Sequence, residues 1–176
     1  RFPSCLMQKS WNDFIIASPI GATNVSKRTN RTMTAQEIER LLSVMLSVVN
    51  DYPQFQFVIA GAPSQPYQFY KKFIKQENVK FVSNDTYSLL NHSYAALVTS
   101  GTATLETALF KVPQVVLYKA NNLSYQIAKR IVKLKYISLV NLIMDKLIVT
   151  ELIQDDCNIA KIKIELEKVI NNPTRA

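Results

Sequence analysis

The segment Ser100-Gly101-Thr102-Ala103-Thr104-Leu105-Glu106 gathers residue types able to hold a phosphorylated ligand. Its small residues let a phosphate approach the backbone, and the exposed amides and dipole of a helix starting near Ala103 would stabilise the negative charge. Thr102 and Thr104 add hydroxyl donors. Glu106 stands about one helical turn past Thr102, and a carboxylate there suits a pair of ribose hydroxyls rather than a phosphate. The combination has the shape of a nucleotide site. An ordinary strand-to-helix turn, with Ser or Thr as cap and Glu favouring the dipole, accounts for the same residues, so both readings stand at this point. The segment matches neither the Walker A nor the dinucleotide glycine pattern, and neither an NTPase nor a dehydrogenase is supported.

Other chemistry-bearing residues offer less. His92, the sole histidine, falls at a helix end, where capping or a surface role accounts for it. Asp155 and Asp156 are adjacent on a polar turn and point different ways. Cys5 and Cys157 are far apart in sequence, which argues against a disulfide framework, suits a reducing cytosol and leaves both as structural residues. No residue is placed as a general base, and the sequence calls for no metal and no cofactor.

These residues need a scaffold, and the alternation of short β-rich runs with segments of helical period supplies one: a parallel sheet with helices on both faces. Strands are predicted at Phe14 to Ala17, Phe55 to Ala60, Val79 to Val82, Ala95 to Thr99, Gln114 to Tyr118 and Ile137 to Val140. The clearest helix is Thr34 to Asn50, opened by the capping box Thr34-Ala35-Gln36-Glu37 and carrying Ile38, Leu41, Leu42, Met45, Val48 and Val49 on one face. Further helices are predicted around Phe69 to Ile74, from Asn84 or Asp85 to Leu90, and over Ala103 to Phe110, Leu123 to Leu134, Leu147 to Ile153 and Asn158 to Asn171. The Ser100-Gly101-Thr102 turn then falls at the carboxyl end of a central strand, where open parallel sheets bind ligands. Two units are expected: an irregular stretch 1–33 holding the first strand, and a domain 34–176.

Length and composition agree with one compact domain: 176 residues with 48% hydrophobic content can bury a core without staples. No run approaches the roughly 18 apolar residues of a membrane span, and no signal-peptide layout is present. The net charge of +8 is uneven, because no acidic residue occurs between Glu106 and Asp145 while Lys111, Lys119, Lys129, Arg130, Lys133 and Lys135 all do. That positive half suits a nucleotide phosphate or an anionic lipid surface. Nucleic acid fits less well, since aromatics are not interleaved with the basic residues at stacking intervals.

Several blocks in order now bear on family. Val98 through Glu106, Lys111-Val112-Pro113-Gln114-Val115-Val116, Ala128-Lys129-Arg130, Tyr136 through Ile143 and Glu151-Leu152-Ile153-Gln154 together resemble the signature blocks of the lipid-A-disaccharide synthases. The resemblance covers about residues 34 to 171 and implies the C-terminal half of an enzyme about twice this length. The family is similar to two-Rossmann-domain (GT-B) glycosyltransferases, in which this half binds the nucleotide sugar and the other supplies acceptor site and general base. The implied reaction joins the sugar of UDP-diacylglucosamine to diacylglucosamine 1-phosphate and releases UDP. Carried onto this chain, the resemblance makes Ser100, Gly101, Thr102 and Thr104 the diphosphate holders, Glu106 the ribose partner and Asn141 part of the donor site. It further implies the missing N-terminal half and a second copy of the chain as partners. The implied location is the cytoplasm, with peripheral attachment to the inner membrane as an option.

One departure matters: the family's Gly-Ser-Arg before Gln36-Glu37-Ile38 is replaced here by Thr32-Met33-Thr34-Ala35, which removes an arginine implied to touch the diphosphate. Arg28 or Arg31 could substitute. Two alternatives stand beside the transferase: a non-enzymatic basic module docking on anionic membrane or nucleic acid, and another UDP-sugar enzyme of the same fold, such as an epimerase.

Overall fold

The computed structural model describes residues 14–18, 33–62, 64–99, 101–119 and 135–171, the first of these as backbone only. Ser100, the predicted helix from Leu123 to Leu134, the polar stretch with Arg28 and Arg31, and Cys5 lie outside the described residues.

Six strands form one parallel sheet: β1 (Phe14–Ser18), β2 (Gln56–Ala60), β3 (Val79–Val82), β4 (Ser93–Thr99), β5 (Gln114–Tyr118) and β6 (Thr150–Ile153). Their order is β3-β2-β1-β4-β5-β6. The chain therefore builds outward in one direction from β1, then restarts at β4 and builds in the other. Doubly wound sheets take their ligands at such a reversal, beyond the carboxyl ends of the two strands that flank it, here β1 and β4. β1 is central, running from Phe14↔Gln56 to Ala17↔Ile59 against β2 and from Ile15↔Ala95 to Ser18↔Val98 against β4.

The helices are α1 (Ala35–Leu46), α2 (Tyr67–Lys71), α3 (Thr86–Asn91), α4 (Thr102–Leu109), α5 (Leu139–Met144) and α6 (Ile159–Asn171). Strand side chains alternate between faces, so β2 and β4 each feed two cores. Phe57, Ile59, Leu97, Val115 and Leu117 pack with Ile38, Leu41, Leu42 and Met45 of α1 and Ile162 and Leu166 of α6. Val58, Ala60, Ala96 and Val98 pack with Leu89 and Leu90 of α3 and Ala103 of α4. Apolar runs buried on both sides are what a parallel sheet covered by helices requires, and the Rossmann-like α/β fold is the one found. Two tyrosines fasten α6 to this frame: Tyr52 donates to the Lys163 carbonyl at 3.4 Å and Tyr94 to the Ile170 carbonyl at 3.0 Å.

One stretch reverses expectation. The sequence places a strand at Ile137 to Val140 and a helix at Leu147 to Ile153, whereas the structure has helix α5 first and strand β6 second. Ser138 decides the first, since its hydroxyl accepts from the Asn141 amide at 3.2 Å and caps a helix. The second follows from alternation: Leu152 is buried between half-exposed neighbours, and Thr150 to Ile153 pair with Val115 to Tyr118.

Candidate functional site

At the carboxyl end of β4 the chain turns directly into α4. Thr99 closes the strand with its side chain buried, and its hydroxyl oxygen has no hydrogen-bond partner among the described residues. Gly101 then takes φ 122° and ψ −155°, a backbone region open essentially to glycine alone. As the N-cap of α4 it has no side chain to accept from the helix's first amides. Those of Thr102 and Ala103 meet no acceptor among the described residues. Unused amides at a helix start, with the dipole's positive end behind them, make a cradle for an anion.

The remaining predicted site residues divide. Thr102 is half-exposed at the mouth. Thr104 is fully buried, and its hydroxyl donates to the Gly101 carbonyl at 2.7 Å, joined by its amide at 3.2 Å. It serves the turn by holding Gly101 in its unusual conformation, and its hydroxyl is not presented to a ligand. Gln114 steadies the same helix from below by donating to the Thr104 carbonyl at 2.9 Å. Glu106 is half-exposed one turn beyond Thr102, and its carboxylate has no ion-pair partner among the described residues. Four positions apart, Thr102 and Glu106 share one face of α4.

Asn141 lies apart from this group. It is fully buried, and its carbonyl accepts from the amides of Ile148 at 2.7 Å and Val149 at 2.9 Å. Its amide nitrogen donates to the Val149 carbonyl and to the Glu151 carboxylate, both at 2.8 Å. All of its polar capacity is spent inside the chain, so any effect on a donor site runs through the turns it holds. Glu151 completes the knot by accepting from the amides of Ile137 and Ser138, both at 2.9 Å. This carboxylate is an organiser that sequence reading passed over; the available signal was an acidic residue set next to Leu152 and Ile153 in a run able to pair as a strand.

The start of α1 shows what stands where the resemblance implies an arginine-bearing segment. Thr34 and Glu37 form the predicted capping box: the Glu37 carboxylate takes the Thr34 amide at 2.9 Å, and the Thr34 hydroxyl takes the Glu37 amide at 3.3 Å. A carboxylate thus already occupies that helix start. Elsewhere, His92 ends α3 with Nδ1 2.7 Å from the Ser88 carbonyl. Cys157 is buried in the core, and that burial pushes its thiol pKa up, which keeps it protonated and inert.

A family model described as lipid-A-disaccharide synthetase matches residues 29–176. Among curated relatives, the lipid-A-disaccharide synthase of Acinetobacter baylyi is 36% identical over 154 residues, covering 78% of this chain and 39% of the relative. That of Anaeromyxobacter dehalogenans is 35% identical over 146 residues, covering 77% and 37%. The chain thus spans well under half the length of the relatives it matches. Among solved structures, the UDP-GlcNAc 2-epimerase of Methanocaldococcus jannaschii superposes with a TM-score of 0.58 at 12% identity, covering 96% of this chain and 41% of that one. The same enzyme in complex with UDP-GlcNAc and UDP gives 0.56 at 12%, covering 94% and 40%. At that identity the likeness is one of fold.

Proposed function

This chain belongs to the lipid-A-disaccharide synthetase family, and from that premise we propose that it is the nucleotide-sugar-binding part of a glycosyltransferase acting on UDP-diacylglucosamine. The observation that carries the proposal is the open start of α4 at the switch point of the sheet: Gly101 leaves the first amides unclaimed, and Glu106 stands uncommitted one turn on. In this assignment the diphosphate sits on the amides at 101 to 103 with Ser100 and Thr102 beside it, Thr104 holds the turn, and Glu106 accepts from the ribose hydroxyls.

The chemistry follows from where charge develops. A hydroxyl of diacylglucosamine 1-phosphate attacks the anomeric carbon of the donor, the bond to the diphosphate oxygen breaks, and UDP leaves with the electron pair. Amides fixed in place before the reaction stabilise that growing charge without reorganising, which lowers the barrier. The hydroxyl proton goes to a general base on the part of the enzyme outside these residues, so this stretch binds donor without turning it over. The lipid character of both substrates supports work at a membrane surface, taken in this reading as the cytoplasmic face of the inner membrane.

Calorimetry with UDP on the chain tests the assignment. Saturable binding that adenine nucleotides fail to displace is the expected result, with Glu106→Ala weakening it about tenfold, the loss of one to two charge-assisted hydrogen bonds. Unchanged affinity in the variant would remove Glu106 from the ribose role. No heat at millimolar UDP would overturn the site in this chain.

A further inference from the structure

At the far end of α4 from the proposed anion cradle, the surface changes character. Six consecutive residues from Ile143 to Ile148 are exposed, and four of them are large and aliphatic: Ile143 at 65%, Met144 at 60%, Leu147 at 62% and Ile148 at 41%. Leu109, at 72%, adds a fifth from the last turn of α4, which packs against α5. Ala108, Val140 and Ile148 line one groove between these elements, which ties the two sides of the patch together.

The exposure is enforced. Buried Asn141 grips the backbone of Ile148 and Val149 by three hydrogen bonds, and Ser138 and Glu151 fix the start of α5. A turn held this firmly cannot fold its aliphatic side chains inward, and clustered exposed apolar surface of this kind marks a site of interaction.

The charges around the patch select the partner. Lys111, Lys135 and Lys146 are all exposed, and the carboxylates nearby among the described residues are already paired, Asp145 with Lys135 at 3.5 Å and Glu165, in the groove, with Lys168 at 2.7 Å. A two-fold contact between copies of the chain would bring these lysines face to face. A nucleic acid would leave the aliphatics without a partner. Aliphatic tips ringed by ammonium groups match an acyl layer beneath anionic headgroups.

We propose that the turn Ile143 to Ile148, together with Leu109, docks on an anionic lipid surface, its aliphatic side chains entering the acyl boundary while Lys111, Lys135 and Lys146 meet headgroup phosphates. The nucleotide site plays no part in this inference, and UDP affinity serves as the internal control.

Co-sedimentation of the chain with phosphatidylglycerol–phosphatidylcholine vesicles, and with phosphatidylcholine alone, tests it. Binding to the mixed vesicles is expected, weakened several-fold by high salt and at least tenfold by phosphatidylcholine alone. The pair Ile143→Ser with Leu147→Ser should lower partitioning at least tenfold, and Leu109→Ser alone about threefold, with circular dichroism and UDP binding unchanged. Lys146→Glu should weaken binding at low salt only. Equal partitioning of parent and double variant would overturn the proposal, as would no binding by the parent. Concentration-dependent dimerisation abolished by the same double variant would assign the patch to a second copy instead.

Discussion

The starts of α1 and α4 show how one fold can close one helix end and leave another open. Both helices follow strands that meet at the switch point of the sheet. At α1 the Thr34 hydroxyl and the Glu37 carboxylate exchange hydrogen bonds with each other's backbone amides, so the helix carries its own anion. At α4 the cap is Gly101, which has no side chain, so among the described residues no side-chain oxygen takes an amide of its first turn and no carboxylate stands over the amides of Thr102 and Ala103. The closed start stabilises the fold; the open one forgoes that gain of about 1 kcal/mol and keeps its donors for something else. The start of α5 follows α1: Ser138 takes the Asn141 amide, and Glu151 takes the amides of Ile137 and Ser138 just ahead of the helix. A cap is therefore informative by its absence as much as by its presence.

If the capped starts of α1 and α5 serve stability and the uncapped start of α4 serves binding, damage to each should separate the two readouts. The largest effect is expected at the α5 knot. Asn141→Ala removes four hydrogen bonds at a fully buried position and strands the amides of Ile148 and Val149, which should cost about 3–4 kcal/mol. Urea unfolding measures this directly. A loss below about 1 kcal/mol would show that the knot is far weaker than its geometry, and the contrast with α4 would collapse.

Gly101→Ala comes next and should act on both readouts. A side chain at φ 122° and ψ −155° is strained whatever surrounds it, at a cost of about 1–3 kcal/mol. Relief of that strain would rotate the peptides that form the cradle, so UDP affinity should fall at least tenfold in calorimetry. Lost stability with intact affinity would mean that the conformation of Gly101 serves the fold alone.

The sequence disclosed the fold more fully than the site, and the reason is physical. The sheet is written in long apolar runs such as Phe57 to Ala60 and Ala95 to Val98, which have little choice but burial on both faces. The α1 capping box was legible because both partners lie three residues apart in sequence. By contrast, α5 and β6 carried their local signals in single residues, the Ser138 cap and the alternation about Leu152, and they are joined by Glu151 reaching the amides of Ile137 and Ser138, a contact across more than a dozen residues that no local pattern announces. The same holds within the site. Thr102 and Thr104 look alike in sequence, yet only the structure shows that the Thr104 hydroxyl is committed to Gly101 while Thr102 stands at the mouth. Burial decides that difference, and short motifs do not encode burial.

A smaller effect tests the closed start itself. Thr34→Ala opens the capping box at an exposed position and should cost about 1 kcal/mol. UDP affinity should stay within about twofold, because removing the hydroxyl leaves the Glu37 carboxylate at that helix start. A marked gain in affinity would show that α1 also faces the diphosphate, and that its cap competes with the ligand.

The smallest expected effect has the opposite sign and isolates what glycine does at each place. Asp145 ends α5 in the left-handed region, at φ 44° and ψ 34°, a position that glycine adopts without penalty and aspartate only tolerates. Its carboxylate contributes one exposed ion pair to Lys135 at 3.5 Å, and pairs of that kind are worth little. Asp145→Gly should therefore stabilise the chain by about 0.5 kcal/mol in urea unfolding, while UDP affinity is unchanged. Placed beside Gly101→Ala, it forms a reciprocal pair: adding a side chain where the backbone needs glycine impairs fold and site together, whereas removing one where glycine is merely better helps the fold and leaves the site alone. If Asp145→Gly instead destabilises, the ion pair with Lys135 outweighs the backbone preference, and the end of α5 is held by charge as its start is.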